Sequence, residues 1–184
     1  MNLGCRHQGD KLRVADIFTD HMVMQQEADV IIWGWARPNT EITIATSWTD
    51  QVYTYSDNSG TWKTTIRTPK TDAQPQWLKI KSLDSSIFLN DVLLGEVWIG
   101  SGQSNMEMPM NGWIDRGDSL NDSQNEIKKA NYPRIRLFSV NKVQTYEPVQ
   151  QLDGNWAICS PETVSNFSAV LYFFGRELYE NIET

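Results

Sequence analysis

From Leu12 to about Leu89 the chain is built of short runs in which apolar and polar positions alternate with a period of two, the pattern of strands that bury one face. Ile42, Ile44 and Thr46 form one such set, Trp62, Thr64 and Ile66 another, and Leu78 and Ile80 a third. Asp57-Asn58-Ser59-Gly60 separates the run Val52 to Tyr55 from the run beginning at Trp62, and Gly60 can supply the positive φ of a tight hairpin. Pro38-Asn39 marks a further turn. Several short strands in so few residues predict a small antiparallel β-sandwich.

The pattern changes after Asn90. Val92 to Ile99 is almost continuously apolar, which predicts a strand covered on both faces in a parallel sheet. Ser123 and Glu126 have the spacing of a capping box for a short helix ending before Tyr132-Pro133, and Ile135 to Val140 reads as another buried strand, a β-α-β order. Phe167, Val170, Leu171, Phe174, Leu178 and Ile182 recur at spacings of three and four, predicting an amphipathic helix over 166–182 packed on a sheet. The expected fold class is α+β in two parts. Residues 1–11 are a tail, 12–91 the sandwich, and 92–184 the incomplete start of a flavodoxin-like α/β domain with a parallel sheet.

Composition narrows the partners. A length of 184 residues with 40% apolar content can form a core, and the formal charge of −7 with no basic stripe argues against nucleic acid. Cys5 and Cys159 form no disulfide framework and no metal-ligand spacing, and His7 and His21 lie far from any Cys cluster, so no zinc site is expected. No run approaches the roughly 18 apolar residues of a membrane span, and the N-terminus lacks the apolar stretch of a signal peptide.

The candidate chemistry lies in Gly100-Ser101-Gly102-Gln103-Ser104-Asn105-Met106, between a predicted strand and a short helix. Glycines permit a sharp turn that lifts the Ser104 hydroxyl above a sheet edge, with backbone N–H groups at the helix start facing a developing oxyanion. The pattern is Gly-x-Ser-x-Met rather than the Gly-x-Ser-x-Gly elbow, and on spacing alone a Gly/Ser loop in which Ser101 or Ser104 caps a helix is the favoured reading. Gly102, Gln103, Asn105 and Glu107 form the neighbourhood in which substrate or oxyanion contacts are sought. Glu107, three residues after Ser104, either touches substrate or serves the helix dipole. Trp33 and Trp35 share a strand face that reads as core, while Trp48 is the best candidate for an exposed sugar contact.

Gly95–Pro109, reading GEVWIGSGQSNMEMP, resembles the first motif block of sialate O-acetylesterases of the SGNH hydrolase superfamily. Ile17–Gln26, Trp33–Ala36, Gly60–Trp62 and Ser168–Leu178 are similar to further landmarks of that family in the same order. The resemblance covers the chain from about Leu12 onward and corresponds to the N-terminal portion of such an enzyme. It implies a serine esterase that removes O-acetyl groups from sialic acid or a related acetylated glycan through an acyl-enzyme, without metal or organic cofactor. Ser104 is then the nucleophile, and its own N–H one oxyanion donor. The oxyanion glycine and asparagine and the Asp-x-x-His motif belong to later blocks that do not occur in this sequence, and Asn105 is not that asparagine. Serine needs an adjacent base, normally histidine. His7 lies in the tail and His21 in the β part, so the 184 residues alone are expected to be inactive, with a missing C-terminal half or a second chain as partner. Two other functions fit: a noncatalytic glycan-binding or docking module of a two-chain enzyme, and an esterase acting on plant polysaccharide. Acetylated sialic acids are extracytoplasmic, so a periplasmic, secreted or lysosomal parent protein is expected.

Overall fold

A computed structural model describes residues 11–142, 144, 146–147, 149 and 152–181. The expected tail falls almost wholly outside the described residues, as do Cys5, His7 and Ile182.

Eight strands come first: β1 (Arg13–Val14), β2 (Val23–Gln25), β3 (Asp29–Trp35), β4 (Glu41–Thr46), β5 (Val52–Tyr55), β6 (Thr61–Arg67), β7 (Gln76–Ser82) and β8 (Ser85–Gly95). They form a sheet ordered β1-β3-β6 and another ordered β2-β8-β7-β4-β5. The alternation predicts the inward faces correctly. Ile42, Ile44, Thr46, Trp62, Ile66, Leu78 and Ile80 are all buried and Thr64 is half-buried, and apolar side chains of both sheets meet in one cluster, as in a β-sandwich. Burying each large aliphatic side chain contributes about 1.5–3 kcal/mol.

The turn at Asp57–Gly60 forms with Gly60 at φ +83, but β5 and β6 lie in different sheets, so it is a crossover rather than a hairpin. The Asp57 carboxylate organises it by accepting from the Ser59 and Thr61 amides at 2.8 and 2.9 Å and from the Ser59 hydroxyl at 2.6 Å. These bonds hold its pKa below the usual carboxylate value.

The apolar run after Asn90 behaves differently from expectation. Val92 to Gly95 is the second half of β8, which bends at Asp91 (φ +51) and pairs with β7 on one side and, in parallel, with β2 on the other. Asp91 therefore lies inside a strand of the sandwich rather than at its end. Glu96 to Ile99 is not strand, and Ile99 is 93% exposed. Continuous apolarity marked two things at once, a strand buried on both faces and an apolar extension with no sheet beside it among the described residues.

Beyond it lie α1 (Ser104–Glu107), a 3-10 turn (Ile114–Arg116), α2 (Ser123–Lys129), β9 (Tyr132–Phe138), β10 (Trp156–Cys159), α3 (Pro161–Val164) and α4 (Ala169–Asn181). β9 pairs only with β10 and antiparallel, so the expected parallel sheet is not formed among the described residues. No capping box forms at α2: Asp122, at φ +57, is its N-cap, and Glu126 instead makes an ion pair with Arg176 of α4. The capping box occurs at α3, between Ser160 and Thr163.

A second buried cluster gathers Met110, Ile127, Leu137, Cys159, Val164, Ala169 and Tyr172. α4 thus buries Ala169 and Tyr172. The stripe Leu171, Phe174 and Leu178 instead lines an apolar cavity of about 430 Å³ shared with Val97, Trp98 and Ile99. Two contacts tie the clusters' surroundings together. Trp156 donates its indole N–H to the Ile17 carbonyl at 2.7 Å, and Arg136 of β9 reaches Asp91 of β8.

Candidate active site around Ser104

The path to Ser104 is fixed by contacts between separate stretches of the sequence. Glu96, just past β8, accepts from Gln25 Nε2 at 3.1 Å and Gln26 Nε2 at 2.9 Å, while Gln25 Oε1 accepts from the Val97 amide at 2.9 Å. These bonds favour the ionised carboxylate, with Gln26 the larger cause, and lower its pKa. Gly100 lies against Leu171 of α4 so closely that a Cβ would sit 2.5 Å from its methyl carbons. Trp98 meets Phe174 edge-to-face at 5.1 Å. Further on, the Ala169 amide donates to Met108 O at 2.9 Å and the Met110 amide to Phe167 O at 3.0 Å, so the loop is held at both ends by the start of α4.

Ser104 opens α1 at φ +33, a left-handed conformation that non-glycine residues adopt only where surroundings impose it. It is exposed, and its hydroxyl has no hydrogen bond among the described residues. The turn thus presents the hydroxyl to solvent rather than engaging it as a helix cap, since the N-cap is Gln103. Ser104 borders a cavity of about 380 Å³ with Gln103, Glu107, Trp113, Arg116 and Lys142.

Of the residues singled out from the sequence, Ser104, Gln103 and Glu107 come together here, whereas Gly102 and Asn105 are exposed neighbours outside the lining. Glu107 makes an ion pair with Lys142 at 3.0 Å. Sequence reading missed Trp113, Arg116 and Lys142. Trp113 and Arg116 carried a signal in their three-residue spacing, which stacks guanidinium over indole at 4.9 Å, but Lys142 arrives from beyond β9 with no local cue.

His21 takes no part in this cavity. It sits in a turn at φ +66, and its Nδ1 lies 2.6 Å from Asp91 Oδ2. No group of three or more potential metal ligands occurs among the described residues. No described helix is long and apolar enough to cross a membrane. Trp48, expected at the surface, is half-buried against the sandwich core and donates its indole N–H to Arg67 O at 3.2 Å. Among the exposed aromatics, Trp77 and Phe88 stack at 5.7 Å on β7 and β8.

Comparison with known proteins bears out the resemblance read from the motifs. No protein-family model matches the chain. It is homologous over 97% of its length to sialate O-acetylesterases, with 29% identity to the mouse protein, 28% to that of Rattus norvegicus and 27% to the human one. It spans 35–36% of the length of these relatives. Among solved structures, a carbohydrate acetylesterase from Xanthomonas citri superposes with a TM-score of 0.84 at 27% identity, over 92% of this chain and 38% of that one.

Proposed function

We propose that this chain is the nucleophile-bearing part of a serine esterase that releases acetate from O-acetylated sugars, sialic acid among them. The observation that carries the reading is Ser104: an exposed hydroxyl on a positive-φ turn, opening into a sugar-sized cavity, in a fold similar to that of a carbohydrate acetylesterase. In the first step Ser104 Oγ attacks the acetyl carbonyl, its proton passes to a base, and the sugar hydroxyl leaves. Water then hydrolyses the acetyl-serine. The Ser104 amide supplies one oxyanion donor.

What supports an activating base supplied by further polypeptide, either the remainder of a longer protein or a second chain, is that the chain spans 35–36% of the length of its relatives and that His21 pairs with Asp91 away from the cavity; His7 lies outside the described residues. The same polypeptide covers the apolar cavity between Val97–Ile99 and α4. The extracytoplasmic occurrence of acetylated sialic acids supports a periplasmic, secreted or lysosomal parent protein.

Hydrolysis of p-nitrophenyl acetate tests the reading. The longer protein is expected to release acetate and to lose at least a thousandfold in kcat on Ser104→Ala, with the 184 residues alone inert in both forms. Activity of the longer protein that survives Ser104→Ala overturns it. A noncatalytic glycan-docking role has one observation in its favour, the exposed Trp77–Phe88 stack, and predicts sugar binding that Trp77→Ala abolishes while Ser104→Ala leaves it intact.

A further inference from the structure

The cavity beside Ser104 is cationic in a chain whose formal charge is −7. Its ionic lining is Arg116, Lys142 and Glu107. Lys142 is matched by Glu107 at 3.0 Å, which leaves Arg116 with no carboxylate within ion-pair distance among the described residues. Asp115 and Asp118 stand close in sequence, yet neither pairs with it.

Arg116 is exposed, but the loop that carries it is held in place. The loop that carries it is closed by a bridge between Trp113 and Asp118, by Arg116 N donating to Trp113 O at 2.9 Å, and by Gly112 and Gly117 at φ +75 and +74. A Cβ at Gly112 would lie 2.3 Å from Asp118 O, so the closure is tight. The guanidinium lies over the Trp113 ring at 4.9 Å, which limits its rotamers and leaves its N–H edge for a planar acceptor. A guanidinium held in this way matches a carboxylate, to which it can donate two parallel hydrogen bonds.

We propose that Arg116 is a specificity-determining residue that binds the carboxylate of an acetylated acidic sugar, so that the site favours an anionic over a neutral acetyl ester. This rests on Ser104 being the nucleophile. The cavity of about 380 Å³ lies within the range of roughly 300–1,000 Å³ usual for small-molecule sites, and it brings sugar carboxylate and acetyl group to Arg116 and Ser104 together. Trp113 offers its remaining surface to the sugar ring.

The test compares one O-acetylated sialic acid as free acid and as methyl ester, using the longer protein with its full catalytic set. Wild type is expected to favour the free acid at least tenfold in kcat/KM. Arg116→Gln brings that ratio close to one through KM, and Arg116→Lys, which keeps the charge and loses the fork, falls between. A wild type that hydrolyses both forms equally overturns the proposal without any variant, and so does a preference that Arg116→Gln leaves intact. Failure of the esterase reading looks different: p-nitrophenyl acetate hydrolysis that is absent, or indifferent to Ser104→Ala, in a folded longer protein.

Discussion

Arg136 of β9 grips Asp91 of β8 through two N–H···O bonds, Nη1 to Oδ2 at 2.7 Å and Nη2 to Oδ1 at 3.0 Å, with the Arg136 side chain only 4% exposed. The same Nη1 also donates to the His21 and Asp91 carbonyls at 3.2 Å. Asp91 holds a positive φ inside a strand, so the bend in β8 and the docking of β9 depend on one side-chain pair.

Breaking that pair strands a buried guanidinium. Asp91→Ala is therefore expected to destabilise the fold by about 3 kcal/mol, read as a lowered urea midpoint with an unchanged slope. The Arg136 hydrogen bonds hold the Asp91 carboxyl below its ordinary pKa against the opposing effect of burial. A depressed carboxylate pKa contributes stability above the unfolded value of about 4, lost as pH falls through the folded pKa. The gap between wild type and Asp91→Asn should narrow as pH falls below about 4. A gap that grows below about pH 4 contradicts the assignment.

Gly100 predicts a steric pair. Gly100→Ala places a methyl group 2.5 Å from Leu171 carbons and should displace the Ser104 turn, lowering esterase kcat in the longer protein by about tenfold or more. Leu171→Ala alone loosens α4, but combined with Gly100→Ala it should restore part of the loss. Strictly additive effects would show that the two residues do not meet.

Burial pushes the Cys159 thiol up to about 11. In the native protein at pH 8, iodoacetamide should label Cys159 at least a hundredfold more slowly than after unfolding in urea, followed by peptide mass spectrometry. Rapid native labelling would mean that β10 opens readily.

The exposed pair Glu107–Lys142 should add little to stability. Lys142→Gln is expected to shift unfolding by less than about 0.5 kcal/mol, so any larger effect of this substitution on sugar hydrolysis belongs to the cavity and not to folding.

The legible parts of the sequence were those where one physical effect dominated. Ile42, Ile44, Leu78 and Ile80 alternate because one sheet face meets a core, and all four are buried. Gly60 announced a turn, but nothing local states whether a turn joins neighbours in one sheet or crosses between two. Val92–Ile99 misled because apolar composition does not say which part of a run is strand: Val92 to Leu94 are buried in β8, whereas Val97 to Ile99 leave the sheet and remain exposed beside α4. The exposed turn that carries Ser104 was readable from its glycines. Arg116 and Lys142 were not, because a cavity wall is made from loops whose meeting depends on how β9 and α4 pack.

The Trp156 indole also bears on the order in which the chain can be completed. Its bond to the Ile17 carbonyl spans 139 positions, while the sandwich strands end at Gly95. At a synthesis rate of about 5–20 residues per second, roughly 60 further residues delay the arrival of this latch by several seconds. During that interval the newborn sandwich exposes the flank around Ile17 to whatever the ribosome exit brings near. Arresting translation shortly before and after Trp156 and probing with protease should show cleavage near Ile17 only in the shorter nascent chain.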